Sequence, residues 1–181
     1  MFMVNDRRNI KIALFVAICF LLAGCGTNAA GPEAADETRA TDETQATDGW
    51  GETQSLAVAT EWAGVDFTAP AESFTLDDGT GIVLTTYRYR KGIVEALYQG
   101  DTYTITLRRS DTLKGPALAD DSHTYTQEWD DTINEINVHC LGDGVHANCV
   151  YYDHDGDHFS ITAHIGDEDR GLGAEELATF L

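Results

Sequence analysis

The densest group of possible metal ligands in this 181-residue chain is a short acidic and histidine-rich segment around Gly156. Imidazole nitrogens and carboxylate oxygens bind divalent metals, and the candidate ligands in the segment are Asp153, His154, Asp155 and His158. His164 or His146 could supply a further nitrogen ligand. The segment does not fit a calcium loop of the EF-hand type, which needs Gly at its sixth position and Glu at its twelfth. The pair Asp155-Gly156 between alternating segments also predicts an ordinary hairpin turn, and we favour that interpretation.

A second chemical signal is the cysteine that follows the apolar N-terminal segment. Three basic residues precede an apolar run that extends from Ile12 to Ala23. This run is too short to span a bilayer, which needs roughly 20 apolar residues. A positive start, a short apolar core and small residues before Cys25 predict a secretory signal peptide over residues 1–24.

The sequence Leu22-Ala23-Gly24-Cys25 resembles the lipobox of bacterial lipoproteins. The resemblance implies cleavage between Gly24 and Cys25 and a diacylglyceryl thioether on the Cys25 sulfur, with a further acyl chain such as palmitate on its amine. Two or more acyl chains anchor a protein stably, whereas one gives only marginal binding. We therefore expect a protein held on the extracytoplasmic face of a bacterial membrane, with this covalent lipid and no other cofactor.

Residues 25–55 have the composition of a disordered linker. They contain one aromatic residue, Trp50, and no aliphatic side chain larger than alanine. Such a segment cannot bury enough apolar surface to offset the entropy that ordering would cost. The sequence therefore predicts three parts: a signal peptide (1–24), a lipidated Cys25 with an acidic linker (25–55), and a folded domain (56–181).

The chain is strongly acidic, with 31 Asp and Glu residues, 11 Lys and Arg residues and a net charge of −20 at pH 7. This balance argues against nucleic acid as a partner, because its phosphates would be repelled. The few arginines cluster near two predicted strand ends, Arg88 with Arg90 and Arg108 with Arg109. If those ends are neighbours, the four arginines form a patch for an anionic ligand. Cross-strand ion pairs with nearby carboxylates are the alternative, which we favour.

Residues 56–181 alternate between apolar and polar side chains in the manner of half-buried strands. The alternation is clearest in segments 82–89, 102–107 and 159–165, and Gly-containing turn signals separate further strands. Segments 124–129 and 133–141 are two more predicted strands. We expect an α+β domain that is mostly β: a meandering antiparallel sheet of about six or seven strands.

Helical signals are confined to the two ends of the domain. Leu56–Ala63 can form a short helix that ends at Gly64, and residues 174–180 can form a second one with acidic residues in its first turn. Both helices would pack on the sheet. Residues 110–122 contain Gly115-Pro116 and are predicted to form a loop.

Five segments of the domain carry a family resemblance. They are the run 63–70 (AGVDFTAP), the strand 87–89 (YRY), the turn 143–144 (DG), the stretch 151–161 (YYDHDGDHFSI) and the closing 173–177 (GAEEL). Together they resemble a family of small extracytoplasmic domains on bacterial surface lipoproteins, catalogued as a domain of unknown function. The resemblance covers nearly all of residues 56–181 and implies a mostly β fold with a terminal helix. It implies no catalytic residue, and the two cysteines and several histidines depart from the family's usual pattern.

Cys140 and Cys149 flank the Asp143-Gly144 turn and share an oxidising compartment if the chain is exported. A two-residue turn places both cysteines on one face of the hairpin, where a small register adjustment allows a disulfide. A three-residue turn places them on opposite faces and sets Ile136 opposite Val150. The two registers conflict. We expect the disulfide, because an unpaired exported cysteine is a liability.

The sequence contains no hydrolase, zinc-protease or phosphate-binding motif. We therefore expect a non-catalytic binding or accessory module that is held at the membrane by its lipid and binds an unidentified protein or small molecule. A metal-binding surface protein that uses the histidine-rich hairpin is one alternative. A cryptic hydrolase, with a deep pocket lined by paired carboxylates or histidines, is the other.

Overall fold

The computed structural model describes residues 49–68 and 70–181. The predicted signal peptide, the predicted lipid-bearing Cys25 and the linker as far as residue 48 lie outside the described residues. Within the described ranges, no helix combines the length and the apolar character that a membrane span requires.

The described part of the chain contains nine strands and three short helices. In chain order they are β1 (Gly51–Thr53), α1 (Leu56–Ala63), β2 (Ser73–Thr75), β3 (Gly81–Arg90), β4 (Ile93–Gln99), β5 (Tyr103–Ser110), α2 (Pro116–Ala119), β6 (Gln127–Ile133), β7 (Ile136–Gly142), β8 (Ala147–His154), β9 (Asp157–Ile165) and α3 (Ala174–Leu177). The mostly antiparallel β architecture is confirmed, but the number of strands is larger than the predicted six or seven. The two additional strands, β1 and β2, have three residues each, which is too short for a visible alternation.

Every strand pair is antiparallel, and the sheet has the order β1-β3-β4-β5-β9-β8-β7-β6, with β2 beside β3. Two meanders, β3-β4-β5 and β6-β7-β8-β9, therefore join through β5 and β9. Because β6 lies at the outer edge, residues 111–126 must carry the chain across one face of the second meander. These residues, 111–126, are named here the crossing segment. Residues 110–122 were predicted to form a loop, but they contain α2, which contacts β5, β8 and β9.

Helix α1 begins and ends where the sequence predicts, because both of its ends are capped by neighbouring residues. The Ser55 hydroxyl oxygen accepts a hydrogen bond from the Val58 N–H at 3.4 Å. Gly64 adopts a left-handed conformation with φ of 72° and donates its N–H to the Thr60 carbonyl at 2.9 Å. The helix buries two alanines and contacts β1, β3 and β4.

The main hydrophobic core lies on one face of the sheet, named here the core face. Strand register places a row of apolar residues next to one another on this face: Ala96, Leu107, Ile161, Val150 and Cys140. The C-terminal segment covers part of it. The predicted helix over residues 174–180 is shorter, Ala174–Leu177, yet Phe180 still packs edge-on against Phe74 and Tyr98, with ring centroids 4.9 and 5.7 Å away.

The folded part of the chain begins earlier than the predicted boundary at residue 56. Strand β1 pairs with β3, and Trp50 is 6% exposed. Composition placed these residues in the linker because a single tryptophan among polar residues cannot form a core by itself. Here the indole packs against side chains that distant strands supply, which a local composition cannot indicate.

Replacing Gly171 with alanine is expected to lower the free energy of unfolding by about 1–3 kcal/mol, the usual cost of overpacking. The backbone of the following residue, Leu172, exchanges two hydrogen bonds with Ala147, at 2.8 and 2.9 Å. A Cβ atom at Gly171 would overlap the backbone of Ala147. Urea unfolding measures the loss. Gly81→Ala is the control, because a Cβ there meets nothing within 4 Å, and equal stability of the two variants would contradict the prediction.

Candidate functional site

A row of polar and aromatic side chains crosses the sheet on the face opposite the core, and it is named here the polar row. Strand register places seven residues next to one another in it: Arg88, Glu95, Arg108, Ser160, Tyr151, His139 and Asp130. The end of the row that contains Arg88, Glu95 and Arg108 is covered by other parts of the protein. The Asp130 end lines an open groove.

The covered end is organised around a buried carboxylate. Glu95 is 0% exposed and accepts hydrogen bonds from Arg88 at 3.1 Å and from Arg108 at 2.6 Å. Arg108 also donates to the carbonyl oxygens of Leu118 and Ala119, at 3.1 and 2.6 Å. These bonds hold α2 on this face of the sheet, so this end of the row has a structural role.

The predicted anionic-ligand patch is divided between the two faces of the sheet. The guanidinium carbons of Arg88, Arg90 and Arg108 lie 5.0, 4.7 and 5.7 Å from the centroid of the Trp50 ring. Arg109 lies on the core face, where its Nη2 is 2.5 Å from an Asp157 carboxylate oxygen. Three of the four arginines are therefore brought together by Trp50. The fourth is separated from them, because adjacent residues of a strand point to opposite faces.

The histidine-rich hairpin forms the predicted turn but does not bring its four candidate ligands together. Asp155 and Gly156 have φ values of 53° and 90°, as a two-residue turn of type I′ requires. The His158 Nδ1 lies 2.6 Å from Asp153, its cross-strand partner. His154 pairs in register with Asp157, one position along, and so projects from the other face. A metal site that uses His154 and His158 together is therefore not formed.

The expected disulfide between Cys140 and Cys149 is not formed. Both thiols are free and buried. Cys140 pairs in register with Val150, and Cys149 pairs with Leu141, so the two side chains project from opposite faces. A register shift between Leu141 and Gly142 produces this pairing. The three-residue turn also places the two cysteines on opposite faces, but it pairs different residues. Burial raises the pKa of Cys140 to about 11 and that of Cys149 to about 12, so both remain neutral thiols.

The open end of the polar row lines a groove of about 980 Å³, within the usual size range of small-molecule sites. Side chains of β6, β7 and β8 that share one face contribute to it: Asp130, Thr132, Asn137, His139, Tyr151 and Asp153. Residues 114–116 of the crossing segment form a wall. Gly115 approaches Tyr151 closely, because a Cβ at Gly115 would lie 3.9 Å from the ring.

The rings in the groove are held in place by carboxylates and by each other. The His139 Nδ1 lies 2.8 Å from Asp130, and its Nε2 lies 2.9 Å from Glu128. The His139 and Tyr151 ring centroids are 4.7 Å apart, at an interplanar angle of 31°. Asp153 adds a further carboxylate at the groove. The groove thus offers flat aromatic surface together with negative charge.

A second polar cluster lies where the crossing segment meets β9. It consists of Asp121, His123 and His164, whose potential ligand atoms all lie within 4.8 Å of one another. The two imidazole rings are 4.7 Å apart. A hydrogen bond with Asp121 raises the pKa of His123. Burial tends to raise the pKa of Asp121, but hydrogen bonds from Tyr125 and His123 hold it below its ordinary value.

His164 was predicted only as a further ligand for the hairpin, and neither Asp121 nor His123 was predicted as a ligand. The two missed residues lie in the crossing segment, far from His164 along the chain. They meet His164 because β5 pairs with β9, which forces the chain to cross over β9 on its way to β6. No pattern of neighbouring residues in the sequence predicts that Asp121 and His123 lie beside His164.

Comparisons of the chain with known proteins gave no match. No protein-family model matches the chain, and comparisons with curated proteins and with solved structures found no match.

Proposed function

We propose that the chain is a non-catalytic binding module, tethered through a lipid on Cys25 to the extracytoplasmic face of a bacterial membrane, and that the groove holds its ligand. The tether is supported by the resemblance of residues 22–25 to a lipobox. The binding role is carried by one observation, which is the groove of about 980 Å³ with aromatic rings and carboxylates on its floor.

The chemistry of the groove favours a small cationic ligand. Asp130 and Asp153 offer carboxylates, and among the described residues that line the groove Lys114 is the one lysine or arginine. The ring of Tyr151 can lie against an ammonium group, an interaction of about 0.5–1 kcal/mol at an exposed site. The net charge of −20 attracts cations to the whole molecule, so specificity must come from the shape and rings of the groove.

Spermidine is a suitable probe, and we expect the full-length protein in detergent to bind it in a calorimetric titration at low salt. The double variant Asp130→Asn/Tyr151→Ala should weaken this binding about tenfold, since it removes one exposed charge contact and one cation–π contact. Added sodium chloride should weaken the binding further, because exposed charges are screened.

Asp101→Asn is the control, because it removes one exposed negative charge from the turn between β4 and β5, outside the groove. This variant should bind spermidine like the original protein. If it loses as much affinity as the groove variant, the attraction is a general property of the acidic surface. That result, or the absence of spermidine binding, would refute the groove as a cation site.

A further inference from the structure

We propose that Asp121, His123 and His164 form a binding site for a divalent transition metal ion of the zinc class. The cluster is separate from the groove and shares no residue with it, so this site does not depend on the ligand proposed for the groove. Two imidazole nitrogens and one carboxylate oxygen are a common protein ligand set for zinc, with water in the fourth position.

The orientation of the two histidines supports this assignment. The His123 Nδ1 lies 2.6 Å from Asp121, and the His164 Nδ1 lies 2.6 Å from Asp169. A carboxylate at Nδ1 holds the proton on that nitrogen and leaves the lone pair of Nε2 for a metal. His164 therefore carries the outer-shell partner that metal-binding histidines usually have, because Asp169 is not one of the three proposed ligands. Asp121 is itself a proposed ligand, so His123 would bind through Nδ1, with the ion in place of the proton between that nitrogen and Asp121.

The distances within the cluster require only a small adjustment to accept an ion. A tetrahedral zinc ion with ligand atoms about 2.0–2.1 Å away holds them about 3.3 Å from one another. The ligand atoms here lie within 4.8 Å. The His123 side chain is 56% exposed and can turn, whereas Asp121 is 6% exposed and is held by the Tyr125 hydroxyl. One mobile ligand beside fixed ones gives an ion a path of entry from solvent.

The ligand set also indicates the class of metal. Imidazole nitrogen suits zinc and its neighbours in the first transition row, whereas calcium and magnesium take oxygen ligands. The site joins the crossing segment to β9, because Asp121 and His123 come from the former and His164 from the latter. A bound ion would therefore also hold the crossing segment against the sheet.

A zinc titration of the metal-free full-length protein tests the site. We expect one ion per chain, and His123→Ala and His164→Ala should each weaken binding by at least about tenfold. Asp169→Asn leaves all three ligands in place but removes the outer-shell partner of His164, and it should weaken zinc binding by about tenfold or more. Cobalt should give the visible absorption of a tetrahedral site, and His164→Ala should abolish it. Excess calcium should not displace zinc.

The matched control is His158→Ala. His158 lies on the same strand and face as His164, its Nδ1 also contacts a carboxylate at 2.6 Å, and its side chain is similarly exposed, 21% against 26%. Circular dichroism establishes that each variant is folded. The proposal is overturned if His158→Ala weakens zinc binding as much as His164→Ala, if calcium displaces zinc, or if the original protein binds zinc no more tightly than about millimolar.

Discussion

Replacing Glu95 with alanine is expected to lower the free energy of unfolding by about 3–5 kcal/mol, the range for removing one partner of a buried ion pair. Glu95 is 0% exposed, and its two carboxylate oxygens contact Arg88 at 3.1 Å and Arg108 at 2.6 Å. The substitution removes the negative charge that separates two guanidinium groups held against the Trp50 ring. It also weakens the hold of Arg108 on α2.

Urea unfolding of the purified protein measures this effect. Glu52→Ala is the control, because Glu52 also contacts Arg88, at 3.4 Å, but is 45% exposed and should contribute at most about 1 kcal/mol. Glu95→Gln keeps the volume and removes the charge, and it should also lose more than the Glu52 variant. If all three variants lost a similar free energy of unfolding, the ion pairs of the buried Glu95 would contribute no more than the exposed pair of Glu52, which would contradict the prediction.

Replacing Cys25 with serine is expected to move the protein from the membrane fraction almost completely. A serine hydroxyl does not form the thioether that the lipobox resemblance implies, so the variant would lack the acyl chains that are the proposed anchor. The variant should accumulate as an unprocessed precursor or appear in the soluble fraction. Fractionation, apparent size and incorporation of labelled palmitate measure the change.

Cys19→Ser is the matched control for the anchor. Cys19 lies within the predicted signal peptide and would be removed with it, so this variant should be processed and anchored normally. The lipoprotein assignment is wrong if the Cys25 variant remains membrane-bound and mature in size. Loss of anchoring in both variants would instead indicate a general defect in export.

Features that depend on adjacent residues could be predicted from the sequence. Helix α1 was predicted to end at Gly64, which does cap it, and the turn between β8 and β9 was predicted because Asp155-Gly156 tolerates positive φ. The strands of the two meanders follow from alternation with period two. These signals act within a few residues, so no knowledge of distant neighbours is needed.

The pairing of the cysteines could not be predicted, because it depends on a small irregularity in strand register. A one-residue slip moves a side chain to the other face of a sheet. The shift between Leu141 and Gly142 places Cys140 beside Val150 and separates it from Cys149. Turn chemistry alone left two registers open, one with the cysteines on the same face and one with them on opposite faces. The disulfide was expected because an unpaired exported cysteine is a liability, and that expectation was wrong.

The sequence by itself determined the elements with local signals: the antiparallel strands, the first helix, the hairpin turn and the segment that resembles a lipobox. Only the tertiary structure decided which chemically active residues meet. Strand β5 pairs with β9, so the chain must cross the second meander, and that crossing brings His123 to His164 and Gly115 to Tyr151. Contacts between residues far apart in the chain depend on the order of the strands, which local side-chain patterns do not specify.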